Sequence, residues 1–142
     1  MKTGCMQIKD FFSIYQDAAW NKDTAAMVNL YDEQAVLFDM WDRGYYSNSL
    51  EWASIIEAWL GSLGDEKVKV EFEMIKIHES GKLGFASALV RYQALSNEGV
   101  VLRGMKNRIS LGFTKKEEGW KVIHQHTSAP ISSNGLSGIL DI

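Results

Sequence analysis

A chain of 142 residues with 46% hydrophobic and 23% charged residues has the size and apolar content of one globular domain with its own core, which argues against two independent domains. Its net charge of -3 does not supply the basic footprint of a nucleic-acid binder, and a lone cysteine, Cys5, excludes an intramolecular disulfide or a cysteine-rich zinc site as a staple. The stretch from Met1 to Asp10 has no signal-type apolar run, and no later stretch approaches the ~20 apolar residues of a membrane span, so the chain reads as soluble and cytoplasmic, with neither membrane nor nucleic acid as partner.

Proline occurs once, at Pro130, and residues 6–128 carry no linker-like run and no repeat. One domain over 1–142 is therefore expected, with a core of about 6–128 and an irregular Ser/Gly-rich tail over 129–142. Ile8, Phe11, Phe12, Tyr15, Ala18 and Ala19 share one face at helical spacing and predict a helix over about 6–20. Asp23 is a cap for a second helix that carries Ala26, Met27, Leu30 and Tyr31 and ends near Asp32. The β-favouring run Ala35–Phe38 reads as a strand leading into Asp39. After a turn over Gly44–Asn48, a third helix is capped by Asn48 or Ser49 and answered by Glu51. Its apolar face is Trp52, Ile55, Ile56, Trp59 and Leu60, and Gly61 and Gly64 stop it.

From Lys67 the period changes from 3.6 to 2. Val68, Val70, Phe72 and Met74 alternate with Lys69, Glu71 and Glu73, and the parity slips at Met74-Ile75, which predicts a β-bulge. Turns at 79–82, 96–99 and 115–119 separate further strands over about 83–95, 100–114 and 120–127. Helices first and a long antiparallel meander after them is an α+β order, with helices packed on one face of a bent sheet.

This order resembles the nuclear transport factor two-like fold, a cone of three N-terminal helices on a strongly bent antiparallel sheet that encloses a pocket, also called cystatin-like. The segment Gly119-Trp120-Lys121-Val122-Ile123-His124-Gln125-His126-Thr127-Ser128-Ala129-Pro130 is similar to the closing strand of SnoaL-like domains and of the calcium/calmodulin-dependent protein kinase II association domain. The stretch from Asn21-Lys22-Asp23 to Ala35 resembles a second motif of that superfamily, and the likeness spans about residues 8–130. Its members include isomerases, dehydratases, cyclases and non-catalytic assembly domains, so the fold names no reaction. Ketosteroid isomerase, of the same fold, places its general base after the first strand, where this chain has Asp39. Its oxyanion-holding tyrosine matches Tyr15, eight residues before Asp23. Its late-strand aspartic acid falls near Ser110 or Leu111, where no carboxylate stands, so half of that oxyanion hole is missing or replaced by a weaker hydroxyl donor.

Asp39, flanked by Val36, Leu37, Phe38, Met40 and Trp41, is either a poorly hydrated carboxyl suited to proton transfer or a strand-end aspartate facing water. Arg91 shares a strand face with Leu83, Phe85, Ser87 and Leu89. If that face is interior, its guanidinium needs a carboxylate, from Asp39, Asp42, Glu51 or an anionic ligand; otherwise it snorkels at the surface. Arg103 and Arg108 have opposite parity on the next strand, so at most one joins Arg91. His124 and His126 project from one face, but no third ligand is near and no metal is expected. His124 is an acid/base partner for Asp39, or both histidines are structural anchors, and His78 is expected at the surface. Trp52 and Trp59 read as core, whereas Trp41, Tyr45 and Tyr46 in the loop after the first strand are better pocket candidates.

The sequence thus points to a small-molecule-binding SnoaL-like protein that uses no cofactor. Asp39, Tyr15 and His124 are its candidate catalytic residues, and Arg91, Trp41, Arg108, Tyr45 and His126 its candidate ligand contacts. If it is an enzyme, it is an isomerase, cyclase or dehydratase moving a proton on a small cyclic or acidic substrate, with a carboxylate as one expected ligand. The alternative is a non-catalytic association domain. In both readings a sheet face bearing Ile109, Leu111, Phe113 and Ile123 is expected to be covered by a second copy in a homodimer.

Overall fold

The computed structural model describes residues 6–141. Cys5 lies outside them. The elements run α1 (Asp10–Asn21), α2 (Thr24–Val28), β1 (Tyr31–Phe38), β2 (Tyr45–Tyr46), α3 (Ser49–Gly61), β3 (Lys67–Ser80), β4 (Leu83–Leu95), β5 (Val101–Lys116) and β6 (Gly119–Ser128). α1 buries Phe11, Phe12, Tyr15, Ala18 and Ala19, the expected face. Asp23 caps α2 by accepting the Ala26 N–H at 3.1 Å, but α2 stops at Val28. Tyr31 is already strand, because β1 pairs with β6 from Tyr31 opposite Val122 onward. β1 is thus twice the length that the Ala35–Phe38 run implied, its first half polar at Asp32, Glu33 and Gln34.

Asn48 is the cap of α3, its Oδ1 accepting the Glu51 N–H at 3.0 Å, while Glu51 reaches back to the Ser47 N–H at 2.8 Å. Asn48→Ala removes one of these two reciprocal bonds and is expected to cost about 1 kcal/mol, read as a lower urea midpoint with an unchanged slope.

The six strands form one sheet in the order β2-β1-β6-β5-β4-β3. The meander β3 to β6 is antiparallel as expected, and β1 joins it in parallel beside β6. A register shift between Glu73 and Lys76 marks the bulge expected at Met74-Ile75, with Met74 at φ 57°. A second shift lies between Gly112 and Phe113 opposite β6. Such bulges add local twist and bend, and the curled sheet wraps around α1 and α3.

The core lies between helices and sheet. Phe11 is fully buried, its ring centroid 5.3 to 6.4 Å from those of Phe12, Tyr15, Tyr31, Phe72 and Phe113. Ile109, Leu111 and Phe113 belong to this core, which corrects their expected place on an uncovered face: they alternate on the side the helices cover. Ile123 sits half-buried at the second bulge. The uncovered side instead presents Phe38, Leu83 and Phe85. The tail also has more order than its composition implied. It turns back through Gly135 and Leu136, with Ile131 bridging Gly138, and the Leu140 carbonyl accepts the Lys106 N–H at 2.7 Å.

Candidate functional site

The inner face of the sheet, α1, α3 and the loop after β1 enclose a cavity of about 600 Å³, a size that suits a small organic ligand. Trp52, Ile55, Ile56 and Trp59 of α3 make one wall. Tyr92 and Ala94 of β4, Met105 and Asn107 of β5, and Gln125 and Thr127 of β6 make the opposite one. Tyr15 enters from α1, Asp39, Met40 and Trp41 enter from the loop, and Leu140 of the tail closes one side. Trp59 stands edge-on to Tyr92 at 5.9 Å, so Trp52 and Trp59 are wall as well as core.

Asp39 is fixed by the turn that follows β1. Its N–H donates to the Gly44 carbonyl at 3.1 Å and Gly44 N–H donates to the Trp41 carbonyl at 3.1 Å. Gly44 sits at φ 79°, a conformation that favours glycine. The Thr127 hydroxyl donates to Asp39 Oδ1 at 3.2 Å while accepting the Met40 N–H at 3.1 Å. Burial is the largest influence on the Asp39 carboxyl and pushes it above the ordinary carboxylate value, aided by the charge of Asp42 and opposed by Thr127 and the Trp41 and Met40 N–H groups. Tyr15 and Tyr92 share a hydrogen bond of 2.9 Å between their hydroxyls. Burial pushes Tyr92 up to about 12 and raises Tyr15 well above its ordinary value, with Tyr92 and, more weakly, Asp39 adding to the rise. Both tyrosines therefore remain protonated donors at neutral pH. Deeper, Tyr31 donates to Gln125 Oε1 at 2.5 Å.

Of the residues singled out from sequence, the structure brings Asp39, Tyr15 and Trp41 together around this cavity. It places Arg91, Arg108, Tyr45, His124 and His126 elsewhere. On β4 the small residues Ala86 and Ala88, with Val90 and Ala94, turn inward. Arg91 is therefore directed to the outer face, between Glu71 on β3 and Lys106 on β5 in the register, where it borders a separate hollow of about 330 Å³. Arg108 also points outward, its Nε donating to Ser128 at 3.1 Å. Arg103 lies at the cavity rim, held by Glu66 at 2.7 Å.

The histidines are turned out by the second bulge. Trp120 and Val122 are buried, but the shift beside Ile123 reverses the parity of β6, so that Gln125 and Thr127 face inward. His124 hydrogen-bonds the Val36 carbonyl through Nδ1 at 2.8 Å, and Phe38 stands edge-on to His124 and His126 at 4.8 and 5.4 Å. Neither reaches Asp39 across the sheet. Tyr45 is exposed beside Phe38, while Tyr46 is buried against Trp52 at 5.6 Å. His78 is exposed. Among the described residues no group of three or more His, Cys, Asp or Glu side chains is placed to hold a metal ion, and no helix is long and apolar enough to cross a membrane.

Four inward polar residues escaped the sequence reading: Tyr92, Asn107, Gln125 and Thr127. A signal for Asn107 was present, since Met105, Asn107, Ile109, Leu111 and Phe113 alternate on one face and an amide among apolar partners of a buried face needs a reason.

The profile of the SnoaL-like domain matches residues 8–132. The chain belongs to the SnoaL-like family. No curated protein sequence matches it. Among solved structures, an NTF2-like protein of unknown function from Pseudomonas putida superposes with a TM-score of 0.82 at 20% identity, over 95% of this SnoaL-like chain and 92% of that one. A protein from Xanthomonas campestris described as a candidate calcium/calmodulin-dependent protein kinase II association domain gives 0.72 at 14% identity, over 87% and 85%. A cystatin-like protein of unknown function from Nostoc punctiforme gives 0.68 at 12%, over 84% and 86%. These likenesses establish the α+β, cystatin-like fold.

Proposed function

We propose that this SnoaL-like chain binds a small, uncharged ring compound in the cavity and moves a proton on it without a cofactor. The observation that carries this reading is the Asp39 carboxyl, raised by burial and lining one cavity with the hydrogen-bonded Tyr15 and Tyr92 hydroxyls. In the reaction, the Asp39 carboxylate takes a proton from a carbon next to a ring carbonyl. The C–H electron pair becomes the new C=C bond and the carbonyl π electrons move to oxygen. Tyr15 donates a hydrogen bond to that oxygen and Tyr92 donates to Tyr15, which strengthens the donor. Where the enolate is conjugated with a second C=C, the protonated Asp39 returns the proton at the far carbon as the carbonyl re-forms, giving an isomer. Where the carbon β to the carbonyl bears a leaving group, the re-forming carbonyl expels it with its bonding pair and Asp39 gives it the proton, a lyase outcome. Its raised pKa brings it nearer the working pH, which suits both directions of transfer.

Aromatic walls suit a flat ring. The cation expected to orient an acidic ligand, Arg91, lies outside the cavity, which favours neutral substrates. A thermal-shift panel tests this: neutral bicyclic ketones and phenols are expected to raise the melting temperature by mass action, equally in wild type and Arg91→Ala. A shift produced only by carboxylates and lost in Arg91→Ala would place the site elsewhere.

The homodimer is part of the proposal, and the exposed outer-face residues Phe38, Leu83 and Phe85 support it. A second reading, an association module, draws on the same face and on the likeness to the X. campestris protein. Sedimentation equilibrium separates the two: a dimer fits the ligand-binding reading, and a larger closed ring favours the association module. A cytoplasmic setting completes the proposal.

A further inference from the structure

Asn107 is 1% exposed, lines the cavity, and its Oδ1 has no hydrogen-bond partner. A buried acceptor left unpaired is costly to fold, and native structures keep few of them. Its position follows from the register. Asn107 pairs with Val90, while Tyr92 opposite Met105 and Thr127 opposite Ile109 are its diagonal neighbours on either side. Diagonal neighbours on a sheet face remain within reach of one bound molecule, so Asn107 stands between the tyrosine pair and the Thr127–Asp39 pair. The charges nearby oppose an anion: Asp39 and Asp42 both line the cavity, and Arg103 at the rim is already engaged by Glu66.

We infer that Asn107 Oδ1 is the point at which the cavity recognises a hydrogen-bond donor, so that the preferred ligands are uncharged ring compounds carrying a hydroxyl or N–H group. This acceptor presents almost no surface to water and stays unpaired. A ligand whose donor reaches it satisfies an acceptor that otherwise stays unpaired, and sites built to hydrogen-bond a ligand hydroxyl or N–H discriminate strongly against analogues lacking it. The inference rests on the cavity being the ligand site and adds the ligand's chemical class to that reading.

The test is isothermal titration of 2-naphthol and 2-methoxynaphthalene, which share a ring and differ in the donor, into wild type, Asn107→Leu and Asn107→Ala. Wild type is expected to prefer the naphthol by about tenfold or more, the size of effect a buried polar partner produces. In each folded variant the preference falls to near unity because the naphthol hydroxyl loses its partner. Asn107→Leu is expected to melt no lower than wild type, since it removes the unpaired acceptor with little change of volume. Equal binding of both compounds to wild type, or a preference that survives in either variant, overturns the assignment and leaves the cavity reading intact. Binding of neither compound overturns both.

Discussion

Asp39→Asn is expected to yield a protein that melts higher than wild type at neutral pH and lacks the proposed proton-transfer activity. Burial raises the Asp39 carboxyl above its ordinary value of 3.8. Between that value and the raised one, the native state holds a proton that the unfolded chain has released. Stability therefore falls as pH rises through this window, and the loss is complete above it. The amide removes the loss. Calorimetry at pH 7 should show the variant above wild type, and the difference should shrink as pH drops below the ordinary carboxylate value, where native and unfolded wild type are both protonated. A gain in stability on removing a residue is what a function-bearing, poorly solvated group predicts. A variant that melts lower at pH 7 would instead mark Asp39 as a structural anchor for Thr127 and the turn through Gly44.

Phe11→Ala carries the largest expected loss of stability. The Phe11 ring is fully buried and contacts five other aromatic rings drawn from α1, β1, β3 and β5. Truncation removes the transfer free energy and leaves a cavity that neighbours anchored in four different elements do not close, for about 3–5 kcal/mol. For a domain of this size that corresponds to a fall of roughly 10 °C or more in melting temperature. Because Phe11 packs on Tyr15 at 5.5 Å, the variant should also bind ring ligands more weakly even where it remains folded. Phe11→Leu refills part of the void and should cost less than half as much. Equal melting of Phe11→Ala and wild type would contradict the placement of the core.

The fold was legible because each element carries a strong local signal. The period-3.6 face of α1, the Asn48 and Asp23 caps, and the parity slip at Met74 all point the same way. β1 was half hidden: Asp32, Glu33 and Gln34 give no apolar alternation, and only pairing with β6 makes that stretch a strand. The site was legible where it depends on one element's end, as for Asp39, and illegible where it depends on parity across a bulge. One extra residue at Ile123 turns His124 and His126 outward and brings in Gln125 and Thr127. Arg91 misled for a related reason. Its strand face carries the larger side chains Leu83, Phe85 and Leu89, yet the buried residues of the strand are the smaller Ala86, Ala88, Val90 and Ala94 of the other face.

The most direct test of the account is nuclear magnetic resonance of a bicyclic ketone that also carries a hydroxyl, such as 6-hydroxy-2-tetralone, in heavy water, following exchange of the protons next to the carbonyl. Wild type is expected to accelerate the exchange, and Asp39→Asn to lose about 10²- to 10⁴-fold of that acceleration, the usual contribution of a positioned general base, while still binding the ketone. Binding without accelerated exchange, or exchange that survives unchanged in Asp39→Asn, would contradict the assignment of Asp39 as the base.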